Sequence, residues 1–182
     1  MFKFFHADRA GTLSENSVIE LNEDGLSYFG TNYSQYFGTP LHEHPANALR
    51  EALLEIIREK SKLFAEECPS RYKCLFGALN VADAVQFART IEPVPETDVR
   101  IFEVFANSYF IGDVNFIDAE PKNIERKAEY LKNYWLTKIY QGCYVSSPPR
   151  PPRLEVLLPL PVRVGEIVGI VPGITGKGAQ KV

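Results

Sequence analysis

The sequence predicts an α+β domain built from split, mostly antiparallel sheets, and three observations predict it. Short β-type runs stand at both ends and in the middle of the chain: "FKFFH", "DVRIFEVF", "LEVLLPLPVRV" and "EIVGIV". Two long stretches between them carry apolar residues at helical spacing. The order of these elements is irregular, without the steady strand–helix alternation of a doubly wound sheet. No G-x-G-x-x-G or G-x-x-x-x-G-K-[ST] phosphate loop occurs either. At 182 residues, 45% hydrophobic and 24% charged, the chain suits one globular domain over residues 1–182.

The first strand is expected over Phe2–His6, followed by a turn at Gly11 and a short apolar element near Val18–Leu21. From Asn22 to Pro45 the chain reads as a long loop carrying Tyr28, Phe29, Tyr33, Tyr36 and Phe37. Loops of this length in compact domains are often functional. These rings either pack the loop down or offer stacking faces to a flat ligand. Pro45 then opens a helix with Leu49, Leu53, Ile56 or Ile57, Lys60 and Phe64 along one stripe, ending before Pro69. "SRYKCLFGAL" follows as a buried strand. Asn80 and Asp83 form a capping-box arrangement ahead of a short helix whose Ala84, Phe87 and Ala88 face inward.

After Pro93 and Pro95, "DVRIFEVF" alternates as a half-buried strand. Asp113 to Glu120 reads as a loop around a short strand. A second long helix runs from Glu120-Pro121 to near Gly142, with Ile124, Ala128, Leu131 and Trp135 on one face. "SSPPRPPR" is an extended link. Two strands close the chain, and the Gly- and Lys-rich tail from about residue 173 is expected to fray.

Charge and cysteine usage narrow the function classes. A net charge of −3 argues against a chain that wraps nucleic acid with its whole surface, although a local basic patch stays compatible. No apolar run approaches the ~20 residues of a membrane helix. The start "MFKFFHADR" lacks the apolar core and cleavage site of a secretory signal. Cys68, Cys74 and Cys143 share no metal-ligand spacing and read as reduced thiols, so a cytoplasmic location is expected. His42 and His44 in "LHEHP" have no third ligand at a recognisable spacing, and no metal is expected.

Three spots carry candidate chemistry. His6 and Arg9 flank the end of the first strand in "FFHADRAGTL". Ser70-Arg71-Tyr72 stands at the start of the buried middle strand. Glu155 is the only acid in "PPRLEVLLPLPV", close to the beginning of an otherwise apolar strand.

Together, "FFHADRAGTL", "RYKCLFGALNVADAVQFA" and "RLEVLLPLPVRVGEIVGI" resemble the His–Tyr–Glu branch of the ADP-ribosyltransferase superfamily. They are similar also to small bacterial proteins that carry "PSR..LF" before the alanine-rich helix. The resemblance implies two small sheets, flanked by helices, that hold NAD bent in the cleft between them. It implies cleavage of the nicotinamide–ribose bond through an oxocarbenium-like transition state, as in glycoside hydrolysis. NAD would be a co-substrate, and ADP-ribose would pass to a macromolecule. Toxins and anti-phage effectors that modify RNA, DNA or protein are among the roles it suggests, with an antitoxin as a companion.

In that reading Glu155 stabilises the developing positive charge and hydrogen-bonds the ribose 2′-hydroxyl. His6 orients the adenosine-side ribose or the nicotinamide edge, and Arg9 meets the pyrophosphate. Tyr72 packs on the nicotinamide, with Phe76 as the alternative match to the family's tyrosine. Ser70 and Arg71 bind phosphate or acceptor. Two departures stand out. Ala7 replaces the glycine that follows the histidine in many relatives. Arg153 takes the place of the second glutamate found in enzymes that modify arginine. With Arg150 nearby, that cation favours a nucleic-acid or nucleotide acceptor, although the acidic overall balance points the other way. NAD-dependent removal of an RNA 2′-phosphate and a non-catalytic binding module on the same fold are the alternatives.

Overall fold

The structure, a computed structural model, describes residues 1–36, 38–90, 93–142 and 150–174. Phe37, Cys143, the first part of the proline-rich link up to Pro149, and the tail from residue 175 lie outside the described residues. The protein is a mixed α/β structure with two antiparallel sheets and helices packed on them.

The first sheet holds β1 (Phe2–Asp8), β4 (Val99–Ala106), β7 (Val162–Val171) and the short β2 (Val18–Ile19), in the order β1-β4-β7-β2. The second holds β3 (Cys74–Gly77), β6 (Leu154–Pro159) and β5 (Phe110–Asp113), in the order β3-β6-β5. One isolated antiparallel bridge joins them: Phe5 and Ala78 exchange both backbone hydrogen bonds, at 3.0 and 2.7 Å.

Alternation along the strands sorts the core into layers. Phe4, Phe102, Val104, Val156, Leu158, Val162 and Val164 fill the space between the sheets. Leu157, on the other face of β6, packs with Leu54, Phe64, Leu131, Tyr134 and Trp135 of the helices. A third cluster places Ala84 and Ala88 of α4 (Val81–Thr90) over Ile101 and Val99. The expected cap is present, with the Asp83 N–H donating to Asn80 Oδ1 at 2.9 Å and Asn80 Nδ2 donating to Asp83 at 2.8 Å.

Several elements differ from the sequence expectation. The stretch read as a long aromatic loop contains α1 (Tyr28–Ser34), capped by Ser27. The helix after Pro45 is interrupted at Ser61, giving α2 (Ala46–Lys60) and α3 (Lys62–Glu67). Its buried face also differs: Ala48, Glu51, Ala52, Leu54 and Glu55 are enclosed while Ile56 is exposed. The two glutamates turn inward because Arg71 awaits them there. Asp113–Glu120 holds a short helix, α5 (Asn115–Asp118), rather than a strand. The last helix, α6, spans only Ile124–Trp135 with Asn123 as its cap; Ile124 and Ala128 are exposed, and Tyr130 and Tyr134 join Leu131 and Trp135 inside. Residues 173 and 174, expected to belong to a frayed tail, are tied down: the Gly173 N–H bonds to Asp98 and the Ile174 N–H to the Pro95 carbonyl.

Candidate functional site

His6 follows Phe5 of the Phe5–Ala78 bridge, next to the backbone of β3. Its half-buried ring places Nδ1 2.6 Å from the Phe76 carbonyl oxygen. Burial lowers the imidazole pKa, opposed by that hydrogen bond and by the Asp8 charge. The neutral ring must therefore carry its proton on Nδ1 to donate to the carbonyl, which leaves Nε2 as an acceptor. Nε2 makes no hydrogen bond among the described residues. Asp8 fixes the strand end by accepting from the N–H groups of Thr12 (3.2 Å) and Leu13 (3.0 Å) and from Arg100 (2.9 Å). Arg9 donates to the Pro93 carbonyl.

Arg71 is the hub on the opposite face of the second sheet. Ser70 caps the 3-10 turn Arg71–Lys73, accepting from the Tyr72 N–H at 3.2 Å. The Arg71 N–H donates to Glu55 at 2.8 Å. Its guanidinium donates to Glu51 at 2.6 and 3.3 Å, to the Tyr134 hydroxyl at 2.7 Å, and to Glu155 Oε1. It lies 4.8 Å over the Phe76 ring and 5.9 Å from that of Phe29, a cation–π arrangement. Burial alone would lower the Arg71 pKa, but the Glu155 and Glu51 carboxylates outweigh it and hold the guanidinium charged. Four of its five guanidinium N–H groups go to protein partners and the side chain is buried, so Arg71 holds carboxylates where the sequence reading expected a phosphate or acceptor ligand.

Glu155, second residue of β6, is 7% exposed. Its Oε1 accepts from both Arg71 and the Tyr134 hydroxyl, the latter at 2.6 Å. Its Oε2 makes no hydrogen bond among the described residues and is not sealed from solvent. One carboxylate oxygen is clamped and the other makes no hydrogen bond among the described residues.

The structure thus unites Arg71, Phe76 and Glu155, and adds Glu51, Tyr134 and Phe29. His6 reaches this group only through Phe76, whose carbonyl it binds; imidazole and carboxylate make no direct contact. Tyr72 turns inward. Its ring is 7% exposed, 6.3 Å from Phe29, and burial together with Glu51 and Glu55 raises its pKa. Half-buried Phe29 packs 4.6 Å from Phe76 and 4.4 Å from Tyr33. Arg153 donates to Asp118 at 2.7 Å, and Arg150 is exposed.

Sequence reading missed Glu51, Glu55 and Tyr134 because their helices looked conventionally amphipathic. The available signal was Ala48, Glu51, Ala52 and Glu55, an i, i+3, i+4, i+7 set mixing small residues with acids. Gly30 is a second missed requirement. A Cβ there would meet the Tyr72 carbonyl oxygen at 2.1 Å, so only glycine lets α1 dock on the 3-10 turn.

Among the described residues, no group of three or more His, Cys, Asp and Glu side chains is arranged to hold a metal ion, and no helix is long and apolar enough to cross a membrane. A family model described as "Protein of unknown function (DUF2441)" matches residues 15–168, and the chain belongs to that family. No curated protein matches the sequence.

Proposed function

We propose that this member of the DUF2441 family is an ADP-ribosyltransferase that cleaves the nicotinamide–ribose bond of NAD and transfers ADP-ribose to a macromolecule. The observation that carries this reading is Glu155, a nearly buried carboxylate with Oε1 held by Arg71 and Tyr134 and Oε2 open. A carboxylate fixed in this way is suited to a cation that appears only in the transition state, where it stabilises that state more than the ground state. Support also comes from the two small antiparallel sheets joined at the Phe5–Ala78 bridge, with His6 next to that bridge.

The chemistry follows from these groups. The ribose C1′–N bond breaks, and nicotinamide leaves as a neutral molecule with the bonding electron pair. Glu155 Oε2 accepts the ribose 2′-hydroxyl hydrogen bond and faces the oxocarbenium charge. An acceptor oxygen or nitrogen adds at C1′ and releases its proton to solvent. His6 Nε2, an acceptor, takes a hydrogen bond from a hydroxyl of the dinucleotide. With Tyr72 inside the core, Phe29 and Phe76 supply the aromatic surface for nicotinamide. Arg9, at the turn beyond His6, stays assigned to the pyrophosphate. Nucleic acid is the favoured acceptor over an arginine side chain, because Arg153 and Arg150 precede Glu155 where a second carboxylate would be needed to deprotonate a guanidinium.

Incubation with NAD tests this. Wild type is expected to release nicotinamide, and Glu155→Gln or Glu155→Ala to lose nearly all release while keeping the same circular dichroism spectrum. Release that persists in either variant removes Glu155 from its role. Binding of NAD without any release by wild type supports a non-catalytic module instead. Labelled NAD offered to RNA, DNA and protein fractions then identifies the acceptor.

A further inference from the structure

We infer that Tyr134 is the positioning residue for Glu155, and that Gly112 is glycine so that the Tyr134 ring can reach it. This deepens the assignment of Glu155 as the ribose-facing carboxylate and rests on it.

Three observations, all from geometry, converge on Tyr134. The first is register: Gly112 of β5 is the cross-strand partner of Glu155 in β6. The second is space. A Cβ at Gly112 would lie 2.2 Å from Tyr134 Cε2 and 2.6 Å from Cζ, inside the ring's own volume. The phenol therefore crosses β5 directly over the residue opposite Glu155, and any larger side chain would push it away. The third is the hydrogen-bond pattern. Tyr134 Oη accepts from Arg71 Nη1 at 2.7 Å and donates to Glu155 Oε1 at 2.6 Å. The hydroxyl is fully used, and its ring is wedged between Phe110 and Trp135 with centroids 5.5 and 4.9 Å away. A phenol so enclosed has no freedom to turn its donor elsewhere.

The consequence is directional. Arg71 Nη1 donates to the same Oε1, but the guanidinium is shared with Glu51, whereas the phenol donates to Glu155 alone. Tyr134 makes its only carboxylate contact with Oε1. That holds the carboxylate in one orientation and leaves Oε2 without a hydrogen bond among the described residues. Burial holds the phenol pKa well above its ordinary value, with the Arg71 charge opposing and Glu155 adding to it, so the group stays a donor across the working pH range.

The test is Tyr134→Phe, which keeps the ring and removes one oxygen, assayed for nicotinamide release beside wild type and Glu155→Gln at a temperature well below unfolding. The expected result is a kcat about 10- to 100-fold lower than wild type, the loss of one hydrogen bond to a charged group. KM for NAD stays within about threefold, because Tyr134 does not touch the dinucleotide. Gly112→Ala, which changes no polar group, is expected to reproduce that kcat loss; where it fails to fold, Tyr134→Phe alone decides. A Tyr134→Phe enzyme that turns over like wild type while Glu155→Gln is inactive overturns the positioning role and leaves the Glu155 assignment standing. A raised KM with unchanged kcat also overturns it, since it would make Tyr134 a binding residue. Absence of release in wild type brings down the assignment itself and the inference with it.

Discussion

The two faces of the β3-β6-β5 sheet are made by neighbouring residues, and the helix-side face differs in that its apolar core around Leu157 also encloses ion pairs. On the face toward the first sheet, Leu75, Val156 and Leu158 meet Phe4, Phe102 and Val104 with no charged side chain among them. On the face toward the helices, Glu155 and Phe76 meet Arg71, Glu51 and Tyr134. Residues 155 and 156 are adjacent, so the pleat alone separates the dry layer from the charged one. The apolar layer stabilises the fold in proportion to the area it removes from water. The charged layer costs free energy unless every group is paired, and a well-packed apolar replacement is often as stable. Three buried carboxylates, Glu51, Glu55 and Glu155, around one buried guanidinium are therefore a weak source of stability, and such a cluster is a candidate for function.

Breaking the charged face should cost most. Arg71→Met leaves Glu51 and Glu155 as buried like charges and is expected to destabilise by about 3–5 kcal/mol. On the dry face, Leu158→Ala leaves a cavity at a fully buried position, with an expected cost of about 2–5 kcal/mol. The sharper contrast comes from adding Glu155→Gln to each. In the Arg71→Met background it removes an unpaired charge and should restore stability. In the Leu158→Ala background it should restore none. Urea unfolding of the four variants measures this. Equal behaviour in the two backgrounds would mean that the faces are not energetically distinct.

A smaller effect belongs to His6. Its folded pKa lies below the unfolded value, so the unfolded chain binds the extra proton first as pH falls. Stability is then full above roughly pH 6.5 and declines as the pH drops through the window between the unfolded and folded values. His6→Gln should flatten that decline. Unfolding midpoints at about pH 7.5 and about pH 5 for both proteins decide the matter, and an unchanged slope would contradict the placement of a neutral ring against the Phe76 carbonyl.

Local pattern made much of the fold legible. Alternation identified β4, apolar runs marked β1 and the closing pair, and Asn80 with Asp83 announced the start of α4; the closing pair divides at Leu160-Pro161, ahead of the expected break at Gly165. Glu155 was found because an acid is conspicuous in an apolar strand. What escaped was whatever depends on distant partners. Glu51 and Glu55 look like the solvated side of a helix until Arg71, far along the chain, is brought beneath them. Tyr72 and Arg71 are adjacent, and nothing local says which side chain enters the core; both do, Arg71 toward Glu155 and Tyr72 toward Phe29 and the Glu51 and Glu55 charges. The requirement for glycine at 30 and 112 is a matter of close approach between separate segments, which no propensity records.

The most direct measurement is a structure of the Glu155→Gln protein with NAD bound. The expected result is the nicotinamide-side ribose with its 2′-hydroxyl within hydrogen-bond distance of the residue 155 side chain, and nicotinamide against Phe29 and Phe76. A dinucleotide seated elsewhere, with residue 155 still enclosed beneath Arg71, would contradict it.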